Sequence, residues 1–237
     1  MIIRKGVLGL YWYYDTSYFV FVLPAFLFAL YAQAKVSSAF NRYSRVMAQR
    51  GLTGAEIARR LLNDAGLNDV TVTAVPGRLT DHYDSRSRQL RLSEEVYHRS
   101  SLAAVGVAAH EAGHAIQHAV GYSPLAMRNA IIPVAQFGSQ LAFPLFFIGF
   151  LVNLWPLVTI GVLLFGAAVV FQIITLPVEF NASGRAVALL EQGNYLTSSE
   201  LPGARAVLNA AALTYVAATA MAIAQFLRLL ALSRRRR

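Results

Sequence analysis

Ala108-Ala109-His110-Glu111-Ala112-Gly113-His114-Ala115-Ile116-Gln117 sets two histidines four residues apart, with a glutamate directly after the first. On a helix four residues advance by about 400°, so both imidazoles leave one face a turn apart and can share one Zn²⁺. Glu111 is turned by about 100°, where its carboxylate can take a proton from water at the metal's open position. Gly113 leaves one position of the motif without a side chain. The bland alternative, two polar histidines on a wet helix face, asks nothing of the rest of the chain. A catalytic zinc asks for a third protein ligand and an open coordination position.

Immediately around the motif the spacing predicts a helix that begins near Ser100 or Ser101 and stops at Gly121, with Pro124 beyond it. Upstream, from Lys35 to about Arg128, the grammar is that of a polar domain. Thr53-Gly54-Ala55-Glu56 is a capping box that opens a helix with Ile57, Leu61 and Leu62 on one side and Gly66 as its stop. Val70 to Val75 alternates as a strand ended by Pro76-Gly77, Asp81-His82-Tyr83-Asp84-Ser85 reads as a turn, and Arg88-Gln89-Leu90-Arg91-Leu92 as a second strand. Ser93 then caps a helix with Glu94 and Glu95 in its first turn.

Farther out the chain turns apolar. Of 237 residues 56% are hydrophobic and 14% charged, against roughly 25% charged in a soluble domain. Residues 16–34 carry no charge, 19 positions bracketed by Trp12, Tyr13, Tyr14 and Tyr31; that is about the length of a spanning helix with its aromatic belt. It reads as an anchor that is retained, not a cleaved signal. Between Arg128 and Glu179 lie 50 uncharged residues, which predict two spans near 133–153 and 156–176 broken at Asn153-Leu154-Trp155-Pro156. Pro202-Gly203 reads as a turn, and the 22 uncharged residues 206–227 as a fourth span or a helix lying against the domain. The net charge of +9 is scattered or in tails, without the basic and aromatic interleaving of a nucleic-acid surface, so the lipid bilayer is the expected partner and nucleic acid is not. With no cysteine, a metal must be held by nitrogen and oxygen.

Glu179 is the expected third ligand, because a two-span hairpin returns the chain to the side of the membrane that carries His110 and His114. His118 lies two turns from His110, about 12 Å along the axis, so it reads as a neighbour of the site or a surface residue. Glu191 and Glu200 read as solvated charges near loops.

The zinc motif, Leu176-Pro177-Val178-Glu179-Phe180-Asn181-Ala182-Ser183, Gly51-Leu52-Thr53-Gly54 with Glu56, Asp81-His82-Tyr83-Asp84 with Leu90-Arg91-Leu92-Ser93, and Leu208 to Tyr215 together resemble the YugP-like neutral zinc metallopeptidases of bacterial membranes. The order of zinc helix, two spans and late glutamate is more distantly similar to the HtpX-like gluzincin proteases. The resemblance implies His110, His114 and Glu179 as ligands of one Zn²⁺ per chain and Glu111 as general base. Ser183 stands where the HtpX-like pattern has an aspartate, and its hydroxyl could still orient a ligand. Candidates for stabilising the transition state are Arg185, Tyr97 and His82, with Arg185 equally a lipid-phosphate contact. Arg88, Gln89, Leu90, Arg91 and Leu92 form the candidate strand for pairing with substrate, or an ordinary edge strand.

The expected fold is therefore a membrane α+β protein, mostly helical: a gluzincin-like catalytic unit with a small β-sheet, plus three to four transmembrane helices. Residues 1–34 form the anchor, 35–130 the catalytic region, 131–176 the hairpin, 177–204 the third-ligand helix, and 205–237 the last helix with its basic tail. The expected function is a multi-pass cell-membrane zinc endopeptidase acting on unfolded or membrane polypeptides, in membrane protein quality control. The rival is a catalytically silent membrane scaffold that keeps the fold. Basic residues near the spans tie at seven per side (Arg4, Lys5, Arg228 and Arg234 to Arg237 against Lys35, Arg42, Arg45, Arg50, Arg128, Arg185 and Arg205). Only the HtpX-like resemblance turns the site to the cytoplasm. The oligomeric state is left open.

Overall fold

A computed structural model describes residues 16–234; the aromatic bracket at Trp12 to Tyr14, the charges at Arg4 and Lys5, and the arginines after Arg234 lie outside the described residues. A π-helical turn Tyr18–Val22 leads into α1 (Leu23–Tyr43). The capping box then forms as its spacing predicts: Thr53 Oγ1 accepts from the Glu56 amide at 3.2 Å while Glu56 Oε2 accepts from the Thr53 amide at 2.8 Å. It opens α2 (Gly54–Asp64), whose Ile57, Leu61 and Leu62 enter the core. Gly66 ends it at φ +73°, a conformation in which a Cβ is strained.

β1 (Thr71–Val75), β2 (His82–Asp84) and β3 (Gln89–Ser93) make a sheet in the order β1-β3-β2, with β1 parallel and β2 antiparallel to β3. The 81–85 stretch is thus a strand where a turn was expected. The turn falls later because Asp84 accepts from the Arg86 amide at 2.9 Å and from Ser87 Oγ at 2.7 Å. Ser93 stands at the N-cap position of α3 (Glu94–His98) without capping it. Its amide and hydroxyl instead donate to Asp81 at 2.8 and 3.1 Å.

Ser101 does cap α4 (Leu102–Ala119), accepting from the Ala104 amide at 3.2 Å, and Gly121 at φ +63° follows its end. α4 is alanine-rich and buried over most of its length, the centre of a core shared with α2 and β3. Small side chains on such a helix let its neighbours approach closely.

The hairpin helices outrun the predicted spans: α5 (Ser123–Leu151) passes through Pro133 and Pro144, and α6 (Trp155–Gln192) through Pro177. Proline is tolerated inside a spanning helix where neighbours re-satisfy the freed carbonyl. Asn153 at φ +56° makes the break between them. The boundary expected at 176–177 falls within α6, so Glu179 rides on the same rod as the span. α7 (Leu201–Arg234) takes in Pro202-Gly203 as its first turn instead of a separate turn; a first-turn proline gives up an amide hydrogen with no helical partner.

Glu200, just before α7, is buried and not the solvated charge expected. It accepts from the Gln49 amide at 2.7 Å, the Thr197 amide at 2.8 Å and Thr197 Oγ1 at 2.7 Å, tying the loop after α1 to the start of α7. Burial pushes its pKa up, but these donors outweigh it and hold the carboxyl below its ordinary value.

Four helices, Tyr18–Tyr43 and α5, α6 and α7, are long and apolar enough to cross a membrane. They pack in a row, α1 on α7, α7 on α6 and α6 on α5, while α4 lies against α2, α6 and α7. Ala142, Phe146, Val158, Val162, Phe165 and Leu229 form a second core where α5, α6 and α7 converge. Phe165 is 14 residues before Glu179, about 20 Å down the rod.

Candidate metal centre

One face of α4 carries His110, Gly113, His114 and Gln117, at the three- and four-residue steps that line a helix face. That face meets the stretch of α6 from Val178 to Ser183. Gly113 permits the approach: a Cβ there would stand 2.9 Å from the Ala182 carbonyl oxygen. The imidazoles of His110 and His114 meet edge to face with centroids 4.7 Å apart. Glu179, 2% exposed, places Oε2 at 3.2 Å from His110 Nε2 and 3.5 Å from His114 Nε2. All three potential ligand atoms lie within 4.8 Å of one another.

The far side of each ring is engaged. Gln117 is fully buried, and its Nε2 donates to the Val178 carbonyl at 2.8 Å and to Asn181 Oδ1 at 2.9 Å. Its Oε1 must then accept, so the 3.0 Å contact with His114 Nδ1 makes that nitrogen the donor. A neutral ring protonated on Nδ1 carries its lone pair on Nε2, towards Glu179. Ser183 Oγ lies 3.1 Å from His110 Nδ1 and can accept from it, which leaves the His110 Nε2 lone pair towards Glu179 as well. Two ring lone pairs and a carboxylate oxygen thus converge as acceptors, an arrangement that repels unless a cation lies among them. The nitrogen and oxygen donor set fits Zn²⁺.

Charge around the centre agrees. Burial alone would lower the pKa of His114, yet the Glu179 and Glu111 carboxylates and the Gln117 acceptor hold it above the ordinary value, so the pocket favours a positive charge. Arg128 Nη1 lies 3.5 Å from Glu179 Oε1, the oxygen turned away from the histidines. Glu111, 8% exposed, opens onto a cleft of about 740 Å³ whose walls include Asp81, His82, Arg128, Gln136 and Tyr215. Burial raises the Asp81 carboxyl, against the Ser93 donors, and the Glu111 charge raises it further. A smaller cavity of about 240 Å³ reaches Glu111 and Tyr215 from the side of α1 and also touches His110.

His110, Glu111, His114, Glu179 and Ser183 are therefore brought together. His82 lines the rim, with Nδ1 2.8 Å from the Thr80 carbonyl oxygen. Arg185 does not line the cleft: its Nε donates to Asn181 Oδ1 at 2.8 Å, so it supports the Gln117 network from behind. Tyr97 packs on His98 at 4.8 Å and lines a separate hollow with Glu56 and Arg59. His118 is exposed and meets the Tyr83 hydroxyl at 3.0 Å. The strand expected to bind substrate is corrected too. Leu90, Arg91 and Leu92 belong to β3, which is paired on both edges, and Arg88 precedes it with its guanidinium 2.6 Å from Asp69. The edge along the cleft belongs to β2.

Gln117, Asn181, Arg128 and Tyr215 were not picked out by the sequence reading. Gln117 had a signal, three residues after His114 on the same face, and Arg128 is the last charge before the uncharged run. Tyr215 closes the family-like run Leu208 to Tyr215, but within an apolar stretch nothing marks it as a site residue.

The chain matches the family model described as "Putative neutral zinc metallopeptidase" over residues 18–234. It is 49% identical over 211 residues to the "Putative membrane protease YugP" of Bacillus subtilis (strain 168), covering 89% of this chain and 94% of that protein. No solved structure matches it.

Proposed function

The chain belongs to this family of neutral zinc metallopeptidases, and from that premise we propose that it is a membrane-integral zinc endopeptidase of the gluzincin type. His110, His114 and Glu179 would hold a Zn²⁺ ion. Zn²⁺ at such a site supplies a Lewis acid that brings the pKa of water from 15.7 to about 7 and polarises a peptide carbonyl. Glu111 takes a proton from the attacking water on its carboxylate and delivers it to the nitrogen of the breaking C–N bond. The carbonyl oxygen gains negative charge as water adds, and the Tyr215 hydroxyl and Arg128 guanidinium on the cleft wall oppose that charge. Substrate lies extended along the free edge of β2 as an added strand.

The observation that carries this reading is the convergence of three acceptors beside a buried glutamate that opens on a cleft. A silent scaffold has no use for Glu111 there. We place the protein in the cell membrane with four spans, the site facing the cytoplasm and both termini opposite, acting on unfolded or membrane polypeptides in quality control.

The test is zinc content and cleavage of an unfolded polypeptide by detergent-purified protein. Glu111→Gln is expected to keep the metal and lose cleavage, whereas Glu179→Ala loses the metal. Cleavage by Glu111→Gln at the parental rate would exclude the mechanism.

A further inference from the structure

The cleft is not confined to the sheet side of the protein. Along α5 it is lined by Leu125, Arg128, Ile132 and Gln136, one face followed for three turns. Gln136 stands eight residues past Arg128, about 12 Å farther along the axis, inside the uncharged run 129–178. On the opposite wall Tyr215 stands ten residues past Arg205, about 15 Å along α7, inside the uncharged run 206–227. Tyr215 faces Glu179 at the level of the site, so it is α5, a helix long and apolar enough to cross a membrane, that carries the inner wall past its last charge.

α5 and α7 come together at the Phe146 and Leu229 core, while at the cleft they form opposite walls with α6 between them. The Gln136 side chain is exposed, and its amide meets no hydrogen-bond partner among the described residues. A polar side chain at membrane depth faces a wet cavity or a polar partner.

Resting on the peptidase reading above, we propose that substrate backbone enters sideways from the bilayer, between α5 and α7. The substrate class is then a membrane-spanning polypeptide cut at or just inside the end of its apolar segment. Gln136 supplies hydrogen bonds to the unwound substrate backbone within the otherwise apolar stretch of α5. Peptide groups leaving a substrate helix need such partners, and α5 offers one in the same cleft as Glu111 and Glu179.

The experiment uses full-length protein in vesicles, with one cleavable sequence presented in three ways. It is placed as a free peptide, directly at the end of a spanning segment, or separated from that segment by a hydrophilic spacer of about six residues, some 20 Å when extended. The directly attached sequence is expected to be cut fastest, at bonds within a turn of the apolar boundary, and the spacer to slow it. Gln136→Leu, checked for zinc content, is expected to lower the ratio of embedded to free-peptide cleavage about tenfold, the order of one backbone hydrogen bond. An unchanged ratio in zinc-loaded Gln136→Leu overturns the proposal. If that variant fails to load zinc, the spacer series in the parent decides, and cutting indifferent to the spacer overturns it. Zinc-loaded parent that cuts none of the three sequences overturns the peptidase reading and this proposal with it.

Discussion

Gly113→Ala sets two opposed effects against each other at the metal centre. Helix propensity alone favours alanine over glycine by about 1 kcal/mol in a helix interior. The new Cβ, however, stands 2.9 Å from the Ala182 carbonyl oxygen, a backbone atom of α6 that no rotamer change can move. Reaching ordinary van der Waals contact requires the two helices to separate by about 0.5 Å, and overpacking of that kind costs about 1–3 kcal/mol. Ala182 follows Glu179 by three residues and adjoins Ser183, so the displacement falls on one ligand and on the partner of another. Metal sites hold their distances to about 0.2 Å. The expected result is a zinc affinity lowered at least about tenfold, or 1.4 kcal/mol, with metal-free protein destabilised by about 1 kcal/mol. Chelator competition measures the first and denaturation in detergent the second. Gly184→Ala is the control: on the same stretch of α6 its Cβ meets nothing within 4 Å, so it should gain stability and leave zinc affinity alone. If both alanines stabilise alike and Gly113→Ala binds zinc as tightly as the parent, the close approach of α4 to α6 does not hold the site.

Two further predictions concern groups that support the site. Gln117→Leu removes three hydrogen bonds, two of them fully buried, and frees the His114 ring to turn. It should weaken zinc binding by about 10–100-fold, the usual effect of losing a ligand's supporting partner; a change under threefold by chelator competition would refute this role. Glu200→Gln should destabilise the protein by about 2 kcal/mol near pH 7, since it exchanges a buried carboxylate with three donors for a neutral amide. The Glu200 carboxyl is held below its ordinary value, so its contribution is present above the unfolded pKa of about 4.5 and is lost as pH falls through the folded one. The gap in melting temperature between parent and variant should therefore close in acid, and a gap that stays constant with pH would contradict the assignment.

What could be read in advance was whatever one helix or one uncharged run encodes. The α4 motif needed only the step of four residues, and the spans only the absence of charge. Glu179 followed from the parity of a hairpin. Pairing between distant segments is not encoded that way. β2 is three residues long and includes His82 and Asp84, and only its bonds to β3 make it a strand; the sheet order that denies β3 an open edge follows from the same pairing. Pro177 and Pro202 carry the ordinary signal of a break, but their positions in α6 and α7 remove its cost. Tyr215 and Gln136 are single polar groups in apolar runs, and their relation to Glu111 exists only once the helices are packed.

The ligands are also separated in the order of synthesis. The chain offers His110 and His114 first, and Glu179 only after α5 and most of α6 have been made. Until the hairpin has been threaded and α6 has docked on α4, the nascent protein carries two imidazoles and no third donor beside them. Gln117 likewise lacks Val178 and Asn181, so the His114 ring is not yet fixed. A peptidase of the kind proposed above, assembled in this order, would be inert until α6 has docked on α4, and that docking would be the step that arms it.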